Sequence, residues 1–527
     1  TSATNSYNVA IGHDAGREIT TGINNTLIGG LCGDALTDAD NNVALGNSAL
    51  GADTLGSRST ALGRSALASQ NFTSATNTYN VAVGYNAGSA VSTGVENTII
   101  GGLAGDSLTL GNENTAVGLA SLGADTKGKK SVSVGWGTLT NQNFTSATDA
   151  YNTAVGYASG NDITTGQRNT LIGGLAGDAL TDADYNIALG YETLSSDTKG
   201  SGSVAIGYKT LSTQNLTSST TTYNTAVGYL AGQLLTAGTL NTLIGANAGD
   251  AITNNGLNTL VGQDAGGALD SPYNTCVGQQ SGSLITSGQK NTIIGRYNGN
   301  SSGLDIRTSS NNIVLSDGDG NPRMHFNSDG DIGIGTPATG VKLTVKQTTG
   351  NQVISSLEHD AGSNPYGIFM NFSGSAPDNN TNYYLKCNDS SGTTRLVIYS
   401  DGDIQNHDNS YGAVSDEKLK EQITDASSQW NDIKALTVRK FKMKDDVATG
   451  DSDAHWRLGV IAQEVETAGM SGLVRDNPDL DNDNEDLGTT TKSVKYSILY
   501  MKAVKALQEA MTRIEALEAK VATLEGE

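Results

Sequence analysis

The chain has 527 residues, of which 36% are hydrophobic, 5% aromatic and 16% charged, with 66 Gly and only 6 Pro. Ordinary domains run to roughly 45–50% apolar and about 25% charged residues, so neither a thick core nor a charged surface of the usual kind is available, and a periodic architecture is expected instead. The net charge of −22 argues against nucleic acid and anionic membranes as partners, because such binding replaces counterions with clustered Lys and Arg.

No apolar run approaches the ~18 residues needed to span a bilayer, so the chain reads as soluble. Thr1 is not an initiator, and the start reads as a fragment or a processed end. Cys32, Cys276 and Cys387 lie too far apart for a disulfide scaffold or a zinc site; no cofactor and no metal are expected.

From residue 8 one five-residue word, Asn-Thr/Val-apolar-apolar-Gly, dominates: NVAIG at Asn8, NTLIG at Asn25, NVALG at Asn42, STALG at Ser59 and NVAVG at Asn80. It returns at Asn97, Asn114, Ser131, Asn152, Asn169, Asn186, Ser203, Asn224, Asn241, Asn258, Asn274 and Asn291, seventeen copies in all. The spacing runs 17, 17, 17, 21 three times over, so a 72-residue super-repeat begins at Asn8, Asn80 and Asn152, with an irregular fourth set from Asn224. The longer interval carries its own signature: SQNFTSAT near Ser69, NQNFTSAT near Asn141 and TQNLTSST near Thr213.

Each word has the length and β-branched content of a short strand, and its closing Gly permits a positive-φ turn. Seventeen residues are too few for a strand plus a packed helix. The repeat therefore predicts a parallel β-solenoid or β-roll over residues 1–300, each coil pairing with the next. At ~4.8 Å per strand the stack would be about 80 Å long. Asn would stack on Asn as an amide ladder, and the two apolar positions would form a narrow core. A second word follows each strand, as in GHDAG from Gly12, GGLCG from Gly29 and GGLAG from Gly101. Its small fourth residue predicts a tight corner. Cys32 falls where related coils have Ala104 and Ala176, and Cys276 where others have Ala or Leu, so both read as buried fillers.

After Gly295 the word fades, with NIVLS from Asn312 as a last echo. Turn-rich SDGDGN at Ser316 leads into RMHF at Arg323, DIGIG at Asp331, VKLTV at Val341, GIFMNF at Gly367, YYLK at Tyr383 and RLVIYS at Arg395. Small β modules and a connector are expected over 301–412. From Ala413 the composition changes: 37 of the last 115 residues are charged, against 31 of the first 300, so a separate α+β domain is expected over 413–527. Ser415 followed by Asp416 and Glu417 predicts a helix start, with a capping hydroxyl and acids in the first turn. GVIAQEVE from Gly459 predicts a short strand running into a helix. The segment from Ser493 predicts a terminal helix whose Leu507, Ala510, Ile514, Leu517, Val521 and Leu524 form a coiled-coil seam of about three heptads. Alone such a seam is marginal, so it is expected to work within an oligomer.

The strand words of residues 1 to about 300 resemble the head repeats of trimeric autotransporter adhesins of the YadA type, which implies a left-handed β-roll and a trimer. SDGDIGIGTPATGVKLTV resembles the connector before the terminal domain of phage tail fibres. SDEKLKEQI, HWRLGVIAQEVE and KSVKYSILYMKAVKALQE resemble the intramolecular chaperone of phage tail fibres and endosialidases, the peptidase S74 type, over residues 413–527. That resemblance implies a homotrimeric tail fibre subunit in a virion, with itself, a host-surface receptor (a glycan among the candidates) and other tail proteins as partners. It also implies single-turnover self-cleavage between Val414 and Ser415 by a Ser415–Lys420 dyad, with no external substrate. A bacterial surface adhesin and a non-binding fibre spacer are the alternatives.

A Ser–Lys dyad needs a lysine depressed enough to accept the serine proton; read without the resemblance, Ser415 is a helix cap and Lys420 a solvated side chain. Five residues along a continuous helix would turn the two side chains about 140° apart, so Ser415 should precede the helix or the helix must be distorted. Asp416 would orient the site or simply cap. His455, beside Trp456, reads as a packing residue, not a triad member. The acid run PDLDNDNED from Pro478 lacks the Gly and distal Glu of a calcium loop and reads as a surface loop; SDGDGN reads as a turn. A polysaccharide-cleaving tailspike would need two carboxylates flanking the scissile bond, and no acid pair stands out from the repeat. Ice binding would need regular TxT rows, whereas Thr here alternates with apolar residues.

Overall fold

The computed structural model describes residues 5–346, 370, 381–400, 402–407, 416–444, 456–480 and 486–526. Two compact units, Thr1–Pro365 and Tyr366–Glu527, divide the chain.

In the first unit every word forms a three-residue strand. Val9–Ile11 pairs in parallel with Thr26–Ile28, and that with Val43–Leu45, one coil apart each time. The 21-residue interval keeps the same register, as in Thr60 opposite Val81. Its extra residues build a short side pair, Gly56–Ser57 with Thr76–Asn77, repeated at Gly128–Lys129 with Thr148–Asp149 and at Gly200–Ser201 with Thr220–Thr221. NIVLS adds a further coil, Ile313–Ser316 on Thr292–Ile294, so a parallel solenoid of eighteen strands stands over residues 9–316.

The inward column is narrower than the sequence suggests. Adjacent residues of a strand point to opposite faces, so only the first of the two apolar positions enters the core. Ala44, Ala82, Leu171 and Cys276 are fully buried there, while Ile11 is 59% exposed and Leu45 49%. Cys32 is likewise buried at its corner, and burial pushes its thiol up to about 11 and that of Cys276 to about 12. The closing glycines stack directly. Gly12 sits at φ 131°, and a Cβ there would lie 2.4 Å from the Gly29 carbonyl oxygen; the same approach recurs up to Gly278 beneath Gly295. From Gly12 to Gly295 no other residue fits this column, and Ser316 ends it.

The Asn positions form the expected ladder. The Asn25 N–H donates to Asn8 Oδ1 (2.8 Å) and its side-chain amide to the Ala39 carbonyl (2.8 Å); Asn42 N–H donates to Asn25 Oδ1 (3.0 Å). Ser59, Ser131 and Ser203 interrupt it, because a hydroxyl cannot span one coil. A glutamine from the longer interval bridges each gap. Asn152 Nδ2 donates to Gln142 Oε1 (2.9 Å), and Gln142 Nε2 donates to Asp125 Oδ2 (2.6 Å) and Ser131 Oγ (3.1 Å). Asp125 Oδ1 accepts the N–H groups of Gly128 (2.9 Å) and Phe144 (3.3 Å). Asp53 with Gln70 and Asp197 with Gln214 repeat the arrangement. These carboxylates are fully buried; desolvation pushes Asp53 and Asp125 up, and the amide donors pull them back. Asp and Gln stand in a core column filled elsewhere by Leu108, Ile163, Leu180 and Leu235, all fully buried.

Above the last coil, Ile313–Ser316, Pro322–Phe326 and Ile332–Ile334 form an antiparallel meander. SDGDGN is the turn the sequence suggests: Asp317 Oδ1 accepts from the N–H groups of Asp319 (3.0 Å) and Asn321 (2.9 Å), and its carboxylate pairs with Arg323. In the second unit, Tyr383–Asn388, Thr394–Tyr399 and Ile404–Asn406 repeat this meander, with Asp389 paired to Arg395 (2.7 Å). The two copies run without a gap from Asp317 and Asp389 through SDGDI at Ser328 and Ser400, a duplication the sequence reading did not detect. GIFMNF lies almost entirely outside the described residues.

The first meander also closes the ladder. His325 is buried; its Nδ1 accepts the Ala338 N–H (3.1 Å), which fixes the proton on Nε2, 3.1 Å from Asn312 Oδ1. Burial lowers the His325 pKa, so stability from this neutral ring is present above the ordinary histidine pKa of ~6.5 and is lost as pH falls below it. Amide exchange of Pro322–Phe326, corrected for intrinsic rates, is expected to accelerate selectively at pH 5 relative to pH 7.5. Asp125→Asn is expected to lower stability by about 2 kcal/mol and with it the melting temperature, because whichever way Gln142 flips, one amide faces another.

Candidate functional site

The second unit also holds the region expected to act on the chain itself. Ser415 lies outside the described residues, as do Val414 and His455. The helix expected from Ser415 is a single 3-10 turn, Glu417–Leu419, capped by Asp416, whose Oδ1 accepts the Lys418 N–H (3.0 Å). Lys420 already has extended dihedrals, φ −125° and ψ 140°, and its N–H donates to the Glu417 carbonyl (3.0 Å). No continuous helix therefore runs to Lys420. The Asp416 carboxylate is held by Lys418 (3.2 Å) and caps the turn. Lys420 is exposed.

Beyond this turn the expected strand into a helix and the expected terminal helix are present, while the acid run, expected as a surface loop, begins inside a strand, Val474–Leu480, because its first residues pair across a hairpin. Helix α1, Trp430–Ala435, precedes strand Arg439–Phe441, which pairs antiparallel with Arg457–Gly459. Helix α2, Ala462–Thr467, follows, then a hairpin of Val474–Leu480 with Asp486–Val494 and helix α3, Tyr496–Glu525. A small core of Val465, Met470, Leu473 and Leu499 joins them. Residues 481–485 of the acid run lie outside the described residues; Asp479 accepts a hydrogen bond from Thr489 Oγ1 (2.7 Å). Among the described residues no group of three potential ligands could hold a metal ion.

A polar clasp fixes α1 on α3. The Glu509 carboxylate accepts the Gln429 N–H (2.8 Å) and Ser428 hydroxyl (2.6 Å) ahead of α1. Lys502 pairs with Asp432 (2.7 Å), and the Arg513 guanidinium lies 4.2 Å from the Trp430 ring centre. Sequence reasoning missed this clasp, because its members are some seventy to eighty residues apart. Beyond the clasp the seam is bare: Ile514, Leu517, Val521 and Leu524 are all exposed, as is Leu507 beside the clasp, with Ala510 half-buried between, an apolar stripe with spacing suited to a second helix.

The hydrogen bonds to Glu509 lower its pKa, so the clasp holds above the ordinary glutamate range and loosens as pH falls through the depressed value. Glu509→Ala is expected to raise amide exchange across Trp430–Ala435 while leaving Val474–Val494 protected, measured by hydrogen–deuterium exchange.

Residues 415–475, from the seryl position through α2 to the first strand of the hairpin, match the family model described as the chaperone of endosialidase. No curated protein matches the chain. The stretch 415–475, which opens the terminal region, is of the endosialidase-chaperone, or peptidase S74, type.

Proposed function

We propose that this chain is a subunit of a homotrimeric viral tail fibre that serves host attachment. Its solenoid would be the shaft, and its terminal chaperone would align three chains and then cleave itself off. The observation that carries the self-association is the outer face of the solenoid sheet. At its eighteen strands the outward positions, the first and third residue of each, are all Thr, Val, Ile or Leu. An uncharged strip of that length on a chain of net charge −22 suits burial against further copies. The bare seam of α3 supports the same reading at the other end of the chain, and the match to the chaperone model supports three as the number.

In this reading Ser415 is the nucleophile and Lys420 the base. The Lys420 amine takes the hydroxyl proton, Ser415 Oγ bonds to the Val414 carbonyl carbon, and the Val414–Ser415 C–N bond breaks as the proton passes to the new amine. Water then hydrolyses the resulting ester. The reaction turns over once, because the substrate is the enzyme's own backbone. Its benefit is kinetic: parallel coils with near-identical words can associate out of register, and removing the aligning domain after assembly closes the route back.

Wild-type protein is expected to give a fragment of residues 415–527 on denaturing gels, and Ser415→Ala the uncut 527-residue chain. Wild type that assembles without processing excludes the dyad. Ile514→Asp with Leu517→Asp is expected to shift sedimentation from trimer to monomer; a wild-type monomer excludes the fibre reading. Attachment is tested by adsorption of the assembled fibre to candidate host cells.

A further inference from the structure

The solenoid faces an ordering problem within one chain. A folding chain that skips a coil loses little loop entropy. The outward strand positions are all Thr, Val, Ile or Leu, and the stacked glycines and most Asn rungs recur from coil to coil, so none of them excludes a neighbour one coil further on. One column does exclude it. Seven residues after the closing Gly it reads Leu36, Asp53, Gln70 and Val91, then Leu108, Asp125, Gln142 and Ile163, with the same order around Asp197 and Gln214; all of these are fully buried.

We propose that the three Asp–Gln pairs are order locks: a coil that carries one member of a pair cannot be skipped alone, so each pair is kept or lost as a whole when the shaft changes length. If the coil carrying Asp125 is skipped, the Gln142 amide, whose donor now reaches Asp125 Oδ2 at 2.6 Å, is stacked on Leu108. If the coil carrying Gln142 is skipped, the buried Asp125 carboxylate is stacked on Ile163 and loses the Phe144 N–H as well. Either error leaves a buried polar group without its partner, the costliest kind of packing mistake. A skip of four coils presents Gln70 with Asn152 in place of Asn80, and every bond is remade.

The test uses the full chain with four deletions. Removing residues 80–151 joins Tyr79 to Asn152 and is expected to give a soluble rod, four coils shorter by electron microscopy, with a melting temperature near wild type. Removing 97–113 takes out an apolar coil and neither member of any pair. That variant is expected to stay soluble, with a lower melting temperature because Ile99 no longer fills the space beside Gly88. Removing 114–130 or 131–151 is expected to cut soluble yield about tenfold or more. Adding Leu108→Asp to the 114–130 deletion puts a carboxylate back beneath Gln142, with Gly111 three residues on as Gly128 is from Asp125, keeps the Gln142 bridge to Asn152, and is expected to restore solubility. The proposal is overturned if loss of 97–113 is as damaging as loss of 114–130, if the latter is tolerated like the 72-residue block, or if Leu108→Asp fails to rescue.

Discussion

A single line of buried amides governs this shaft. Each Asn accepts the backbone N–H of the coil above and donates to a carbonyl of its own coil, as Asn25 does with Asn42 and Ala39. A coil of seventeen residues has little room for apolar volume, so the interior is stabilised by repetition of satisfied polar contacts along the rod. Such a ladder tolerates no gap, since an unmet amide in a dry interior costs more than an average hydrogen bond contributes. Each of the three serine rungs, Ser59, Ser131 and Ser203, is therefore accompanied by a glutamine that bridges it and a buried aspartate that ends the bridge. The charge is acceptable because three donors converge on it, one of them the amide at the end of the chain of dipoles.

The alternation that sends Ala, Leu or Ile inward sends the neighbouring Val, Ile or Leu outward. A solenoid strand of three residues thus makes half of its apolar content unavailable to its own core and leaves it on the outer face. The closing glycines let adjacent coils approach more closely than any Cβ would allow. The composition that is too poor for a globular core suffices for a stack of coils with a narrow interior.

The terminal region follows different rules. Its charged residues form discrete pairs, such as Lys502 with Asp432 and Arg439 with Glu464 (2.7 Å), and its core is a few side chains at the root of a long helix. Its small interior and bare helical seam suit a domain whose work is done in company. The repeated Asp–Arg meander appears once on the solenoid and once in the second unit, a recurring way of turning the chain between larger elements.

The repeat, its period, the parallel stacking, the Asn ladder and the glycine turns were legible in the sequence, because each rests on a residue type recurring at a fixed interval, and identical coils can only stack. The terminal helix and the strand leading into α2 were legible for the same reason, since local periodicity specifies local structure. Which apolar position faces inward needed the three-dimensional strand, whose pleat separates neighbours that look equivalent in the word. The pairing of Asp125 with Gln142 needed it too, although both residues recur every 72 positions, because only stacking brings a carboxylate under an amide from another coil. Tertiary structure alone set the His325 cap on Asn312, the clasp of Glu509 on α1, and the extended backbone at Lys420 where the sequence suggested a helix. The first two depend on contacts between residues far apart in the chain, which local sequence does not encode; at Lys420 the turn simply closes after three residues.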